Sequence, residues 1–195
     1  MDSGNLAWML TASALVLFMT PGLAFFYGGL VRAKNIVNTV MLSFIAMGVV
    51  SIVWVLWGYS LAFGPGGSFI GNLDHFALNG IAANDADTLI FVVFQMMFAI
   101  ITPALITGAF AERFKFSTYM IFLVLWVTFV YAPICHWVWA ADGWLFGRGA
   151  LDFAGGTVVH INAGVAAIAA AWLVGKRRNI DRGVEPHSVP FVVLG

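Results

Sequence analysis

A single imidazole lies inside an apolar stretch, residues 152–175, that is long enough to cross a lipid bilayer. At a helical rise of 1.5 Å per residue the stretch covers roughly 36 Å, and His160 falls about 6 Å from its midpoint. Gly156, His160 and Gly164 share one helix face, which is either a close contact with another helix or the wall of a narrow passage. The residues alone leave a packed core histidine and a pathway residue equally open. An ionisable side chain at this depth marks a candidate functional site.

Aromatic side chains at two other places are candidates for binding a cation or closing a passage. Trp139 ends another apolar run, and an indole face attracts a small cation best when it is partly desolvated. The alternative is the ordinary aromatic belt of a membrane interface. Phe94, Phe98 and Thr102 share one helix face, where a phenylalanine stripe is more often core packing than a gate.

The composition is that of an integral membrane protein. Of the 195 residues, 62% are hydrophobic and 9% are charged, whereas soluble domains carry about 25% charge. The formal net charge is zero, which argues against a nucleic acid partner. The one cysteine, Cys135, cannot form an intrachain disulfide.

Five apolar runs predict an all-α fold within one membrane domain, residues 1–195. The runs cover about residues 6–31, 36–63, 88–111, 118–140 and 153–175, and a sixth begins at Val189. Each has roughly the 20 residues that a membrane-spanning helix needs. The first run is too long for a typical signal sequence, so we expect it to be retained.

The positions of lysine and arginine predict the orientation, because cytoplasmic loops carry an excess of both. Eight basic residues follow the first, third and fifth runs, namely Arg32, Lys34, Arg113, Lys115, Lys176, Arg177, Arg178 and Arg182. Only Arg148 falls on the opposite side. The N-terminus is therefore expected outside.

Four segments, in order along the chain, resemble the ammonium transporter family, which includes the Rhesus proteins. They are residues 20–30 (TPGLAFFYGGL), 95–113 (QMMFAIITPAL, then GAFAER), 133–139 (PICHWVW) and 152–164 (DFAGGTVVHINAG). The resemblance is to the ammonium transporter branch and covers essentially the whole chain. It implies eleven helices built from two inverted five-helix repeats plus one more, assembled as a homotrimer in the plasma or inner membrane.

The resemblance also implies site residues for the uptake of ammonium or ammonia. Trp139 would bind ammonium at the outer vestibule, where the ion is recruited and deprotonated. Phe98 would be one of two stacked rings closing the pore, and His160 one of two pore histidines. Asp152, also a candidate helix N-cap, would support the recruitment site from behind.

No cofactor or metal is expected, and a cytoplasmic regulatory protein is a further candidate partner besides the bilayer. Enzymatic activity is not expected, because the sequence has neither a Gly-x-Ser-x-Gly nor a His-Glu-x-x-His motif nor paired intramembrane carboxylates.

The chain has about half the length of family members, so the resemblance implies only half of a pore. Two copies could supply both halves only if one inserted upside down, since inverted repeats have opposite orientations. The bias of eight basic residues to one opposes this. We therefore expect these 195 residues to be a non-conducting fragment, or a half that needs a separate partner. The alternative function is a membrane sensor for ammonium, coupled to a cytoplasmic signalling module.

Overall fold

Five helices of the described residues are long and apolar enough to cross a membrane. The computed structural model describes residues 1–177 and 185–195. We label the helices α1 Ser3–Leu30, α2 Ala33–Phe63, α3 Ala86–Phe110, α4 Phe116–Trp139, α5 Gly156–Val174 and the shorter α6 Val189–Leu194. The five long helices begin and end within three residues of the apolar runs in the sequence. Two of the eight basic residues, Arg178 and Arg182, lie outside the described residues.

The connections on one side of the bundle contain the remaining regular structure of residues 1–177 and 185–195. Strands β1 Gly66–Gly67 and β2 Ile70–Gly71 pair antiparallel between α2 and α3. Single 3₁₀ turns lie at Phe76–Leu78 and Phe146–Arg148. Following the orientation expected from the charges, we call this side the outer side and the opposite one the inner side.

Helix α3 is the centre of the bundle. It packs against α1, α2 and α5, and its side chains contribute a large share of the core. In contrast, α1 and α5 expose large apolar side chains, including Phe18 and Trp172. Such faces are typical of helices that meet lipid or further helices in a membrane.

Three of the described helices contain a π-helical turn, in which each backbone hydrogen bond spans one residue more than in an α-helix. The turns are Trp54–Gly58 in α2, Val127–Tyr131 in α4 and Gly156–Ile161 at the start of α5. Trp57 Nε1 donates to Thr128 Oγ1 at 2.8 Å, so the first two turns are joined directly.

A buried histidine fastens α4 to the outer connections. His136 is fully buried, and its ring nitrogens lie 2.9 Å from the carbonyl oxygen of Ala62 and 2.8 Å from that of Gly67. The neighbouring Trp137 donates from Nε1 to the carbonyl oxygen of Phe69 at 2.6 Å. These bonds fix the outer end of α4, where Trp139 is located.

At the inner side an ion pair joins the ends of α1 and α3. Arg32 donates from Nε and Nη2 to the two oxygens of Glu112, each at 3.0 Å, and Asn35 Nδ2 donates to Oε1 at 2.6 Å. The Glu112 side chain is only 1% exposed. Burial alone would raise the pKa of Glu112, but the hydrogen bonds from Arg32 and Asn35 outweigh it and hold the pKa at about 2. The carboxylate is therefore ionised across the physiological range.

Glycines in α1 allow α6 to pack directly against its backbone. A Cβ atom added at Gly29 would lie 2.7 Å from the carbonyl oxygen of Ser188 and 2.7 Å from Val192 Cγ2. Gly28 faces α2 instead, where an added Cβ atom would lie 3.0 Å from Val40 Cγ2. Small residues at such contacts let helices approach closely in membranes.

We expect Gly29→Ala to destabilise the protein by about 1–3 kcal/mol, because the added methyl overpacks the contact between α1 and α6. The measurement is thermal unfolding in detergent. Gly48→Ala is the matched control, since it also lies within a helix and an added Cβ would meet no atom within 4 Å. Equal unfolding temperatures for the two variants would contradict the close approach.

Candidate functional site

A cavity of about 410 Å³ opens at the outer side, between α3, the end of α4 and the connection to α5. Three of the four site residues expected from the sequence line it, namely Phe98, Trp139 and Asp152. The other lining residues are Phe91, Phe94, Gln95, Val138, Phe146, Ala150, Leu151, Phe153, Ala154 and Gly155. The wall is therefore largely aromatic and aliphatic, with one amide and one carboxylate.

Trp139 and Phe98 meet inside this cavity. Their ring centroids are 5.7 Å apart and their planes are inclined at 74°. Phe94 packs edge-on against Phe98 at 5.0 Å. Both Trp139 and Phe98 are half-buried, so aromatic surface remains accessible where water is partly excluded. A partly desolvated indole face is the arrangement in which a small cation binds an aromatic ring most strongly.

Asp152 holds the first turn of α5. Its Oδ2 accepts hydrogen bonds from the backbone N–H groups of Thr157 at 2.9 Å and Val158 at 3.0 Å. The carboxylate thereby satisfies free N–H groups at the positive end of the helix. Its other oxygen, Oδ1, is buried and has no partner among the described residues.

The expectation that Asp152 is the N-cap residue itself was wrong. Gly155 occupies the N-cap position, with a left-handed φ of 79°. The chain bends back at this glycine, so that Asp152 reaches the helix from three residues further upstream. The capping interaction exists, but its geometry differs from that of a regular α-helix.

His160 does not line the outer cavity. It lies in the π-helical turn Gly156–Ile161, two residues beyond the Val158 N–H that Asp152 holds, and its side chain is exposed. Gly156 and Gly164 are also exposed, and a Cβ atom at either would meet no atom within 4 Å. The face predicted from the spacing of these residues is therefore bare in the described part of the chain.

The interpretation of the sequence missed Gln95 as a site residue. It is the one amide in the cavity wall, and its Oε1 is buried without a partner among the described residues. Gln95 is the one amide side chain in the apolar run of α3, and that was the available signal. Phe146, Leu151 and Phe153 were missed as well, since they belong to an irregular connection that has no periodic pattern.

Two other chemically reactive side chains lie apart from the cavity wall. Cys135 is a buried free thiol, and His136 is engaged by two carbonyl oxygens. Within residues 1–177 and 185–195, no group of three or more histidine, cysteine or acidic side chains is placed to hold a metal ion.

Comparison with known proteins gives a consistent result. The family model described as Ammonium Transporter Family matches residues 7–195. A protein named ammonium transporter from Mycobacterium tuberculosis is 50% identical over 225 aligned residues, which cover 100% of this chain and 47% of the relative.

Two solved structures are similar over nearly the whole chain. The crystal structure of Candida albicans Mep2 superposes with a TM-score of 0.90 at 38% identity, covering 100% of this chain and 45% of that one. A structure described as a sensor Amt protein superposes with a TM-score of 0.88 at 32% identity, covering 97% of this chain and 50% of that one. This chain thus spans about half the length of the relatives that it matches. With the family model matched over almost all of its residues, the chain is a multi-pass membrane protein that belongs to the ammonium transporter family.

Proposed function

We propose that the protein carries ammonium or ammonia across a cell membrane through a narrow, largely apolar pore. The observation that carries this proposal is the outer cavity, in which the Trp139 and Phe98 rings pack against each other and which Asp152 also lines. Membership of the family and the name of the Mycobacterium tuberculosis relative support it. The activity proposed is that of the whole transporter, of which this chain spans about half.

In this mechanism ammonium is recruited at the outer cavity by the indole face of Trp139 and the ring of Phe98. A bare cation pays a large desolvation cost in an apolar passage, so ammonium gives up its proton before it passes Phe98. The proton goes first to water at the mouth of the outer cavity, and from there it either returns outside or enters the relay at His160. Unprotonated ammonia is small and uncharged and passes below Phe98. Potassium has no proton to lose, so the same passage excludes it.

His160 is the proposed relay within the pore. Imidazole has one ring nitrogen that donates and one that accepts a hydrogen bond, so it can pass a proton or orient ammonia on an otherwise bare face. Asp152 acts through the backbone of α5: it fixes the turn that carries His160 without contacting the ion. Recruitment and relay thus lie on different helices, because Phe98 is in α3 and Trp139 ends α4, whereas His160 is in α5.

The proposed arrangement in the membrane follows from the charges and the family. The N-terminus lies outside, because the basic residues follow α1, α3 and α5. The complete protein has eleven helices, forms a homotrimer in the plasma or inner membrane and carries one pore per subunit. A cytoplasmic regulatory protein is a proposed partner at the inner side.

A second candidate function is sensing of ammonium. The similarity to a structure described as a sensor Amt protein, with a TM-score of 0.88, is the observation that supports it. The membrane fold would be the same, and the signal would pass to a cytoplasmic module. A histidine kinase or regulatory sequence in the same polypeptide would distinguish a sensor from a transporter.

The test is a flux measurement on the intact polypeptide in proteoliposomes. We expect an ammonium pulse to produce uptake or current well above that of empty vesicles, and an equal potassium pulse to produce none. Ammonium binding with neither current nor uptake would favour the sensor. Equal responses to ammonium and potassium would contradict the proposed selectivity.

Replacement of Trp139 by leucine is expected to raise the ammonium concentration needed for half-maximal uptake about 10-fold, because a cation–π contact of about 1–2 kcal/mol is lost. The measurement is uptake against ammonium concentration in proteoliposomes. Trp8→Leu is the matched control, since Trp8 is 69% exposed near the outer end of α1 and does not line the cavity. An unchanged concentration dependence in Trp139→Leu would contradict ion binding by the indole.

A further inference from the structure

His136, near the outer end of α4, has a hydrogen-bond acceptor at each of its two ring nitrogens. Nδ1 lies 2.9 Å from the carbonyl oxygen of Ala62, and Nε2 lies 2.8 Å from that of Gly67. A carbonyl oxygen accepts hydrogen bonds and cannot donate one. A neutral imidazole carries a hydrogen on only one ring nitrogen, so its other nitrogen would direct a lone pair at an oxygen lone pair. Both contacts are hydrogen bonds only if the ring is an imidazolium.

The surroundings of the ring offset the cost of burying this charge. A buried ion is tolerated where it is hydrogen-bonded and paired. His136 belongs to the last turn of α4, where the negative end of the helix dipole favours a cation. Asp142 Oδ1 lies 3.6 Å from Nε2, and no other acidic side chain of the described residues comes within 4 Å of the ring. Helix α2 and strand β1 face the ring with backbone carbonyl groups, and the connection after α4 faces it with Asp142.

The connection after α4 folds back and thereby places Asp142 beside the ring. Gly143 N donates to the carbonyl oxygen of Ala140, and Leu145 N donates to that of Trp137, each at 3.0 Å. A Cβ atom added at Gly143 would lie 2.6 Å from the Trp137 carbonyl oxygen, so only glycine allows so close an approach. The Asp142 side chain is 49% exposed. Its carboxylate can therefore remain hydrated while it faces the imidazolium.

The last turn of α4 connects His136 to the outer cavity. Trp139 is the final residue of this helix, and the Ala140 N–H donates to the carbonyl oxygen of His136 at 3.2 Å. The Trp139 indole lines the cavity and packs against the Phe98 ring, whereas neither His136 nor Asp142 lines it. The hydrogen bonds of His136 to α2 and β1 therefore fix the turn from which the indole projects. Loss of one ring N–H would replace one of these bonds by repulsion between lone pairs.

We propose that His136 is a buried imidazolium paired with Asp142, and that this ion pair positions Trp139 for binding of ammonium. Both residues act through the backbone of α4 and do not contact the ion. The charge on His136 follows from its hydrogen-bond geometry alone. Its effect on ammonium binding rests on the proposed function.

Solid-state NMR of the intact polypeptide in lipid vesicles tests the charge. Labelling with ¹³C-cysteine and ¹⁵N-histidine selects His136, because it follows Cys135, the one cysteine of these residues. We expect both ring nitrogens to carry a hydrogen at neutral pH. An unprotonated ring nitrogen in His136 at neutral pH would overturn the proposal.

Asp142→Asn tests the ion pair, since it keeps the size of the side chain and removes the charge. Across an alkaline pH series the ratio of protonated to neutral His136 should be about threefold lower in this variant, as expected for a half-exposed pair. The indole N–H resonance of Trp139, identified by its loss in Trp139→Leu, should shift as well. Asp74→Asn is the matched control, because Asp74 is an exposed carboxylate on the outer side that is not paired with His136. It should change neither signal, and equal changes in the two variants would overturn the ion pair.

Uptake into proteoliposomes tests the positioning role. Asp142→Asn should raise the ammonium concentration for half-maximal uptake about threefold and leave the maximal rate unchanged, whereas a general loss of folded protein would lower the maximal rate. Asp74→Asn should alter neither. An unchanged concentration dependence in Asp142→Asn would overturn the positioning role. Absence of uptake by the unmodified protein would contradict the proposed function instead, and the NMR signals of His136 and Trp139 would still decide the present proposal.

Discussion

Asp152→Ala is expected to lower the rate of ammonium uptake about 100-fold and the free energy of unfolding by about 3 kcal/mol. The stability loss arises because two backbone N–H groups, those of Thr157 and Val158, lose a charged acceptor at the start of α5. The loss of uptake arises because the turn that carries His160 is no longer fixed. A displacement of about 1 Å in a positioned group can lower a rate about 100-fold. Uptake into proteoliposomes and thermal unfolding measure the two effects separately.

Two further variants separate the role of Asp152 from a general loss of stability. Asp152→Asn keeps an acceptor oxygen and removes the charge, so it should retain part of the stability and part of the uptake. Asp85→Ala removes a comparable cap, since Asp85 Oδ1 accepts from the Thr88 N–H at 3.0 Å, but Asp85 does not line the cavity. It should cost about 1 kcal/mol and leave uptake intact. Normal uptake by Asp152→Ala would show that Asp152 only stabilises the fold.

His160→Ala is expected to lower ammonium-evoked current about 100-fold, which is the lower range for proton transfer by a positioned side chain. The structure predicts little change in stability, within about 0.5 kcal/mol, because the side chain is exposed and on a bare face. Current and unfolding temperature should therefore respond very differently. The measurement is current in vesicles at equal protein density, with potassium exclusion recorded in parallel.

The matched control for His160 is His75→Ala, which removes an imidazole from the outer connection between α2 and α3. His75 does not line the outer cavity, so ammonium-evoked current should remain. If current, uptake and potassium exclusion all survive in His160→Ala, the residue has no part in the pathway.

The helices could be predicted closely because apolar run length is a strong signal in a membrane protein. Between α2 and α3, for example, Pro65 and three nearby glycines interrupt the hydrophobic pattern at the point where α2 ends. That Trp139, Phe98 and Asp152 would belong to one site was expected from motif resemblance, and the three line one cavity. Periodicity alone would not have brought together residues of three separate segments.

The local geometry around Asp152 could not be predicted in the same way. The capping rule assumes a regular α-helix whose first N–H groups follow directly after the cap. Here a left-handed Gly155 and a π-helical turn intervene. The turn is so tight that a Cβ atom at Gly155 would lie 2.7 Å from Val159 Cγ2, four residues further along the chain, and the pattern of apolar residues does not reveal this geometry. Gln95 Oε1 is buried without a hydrogen-bond partner among the described residues. This too could not be predicted, because the burial is produced by residues that are distant in the sequence.

The π-helical turn at Gly156–Ile161 also restricts how this protein can change in length over generations. Each residue of an α-helix advances the chain by about 100° around the axis. Deleting one residue from the turn would let it relax to an α-helix and rotate His160 by about that angle relative to Asp152. Substitutions within the turn therefore disturb the position of His160 less than insertions or deletions do. Insertions and deletions in descendants of this gene should accumulate in the connection between α4 and α5, before Asp152, and avoid residues 152–161.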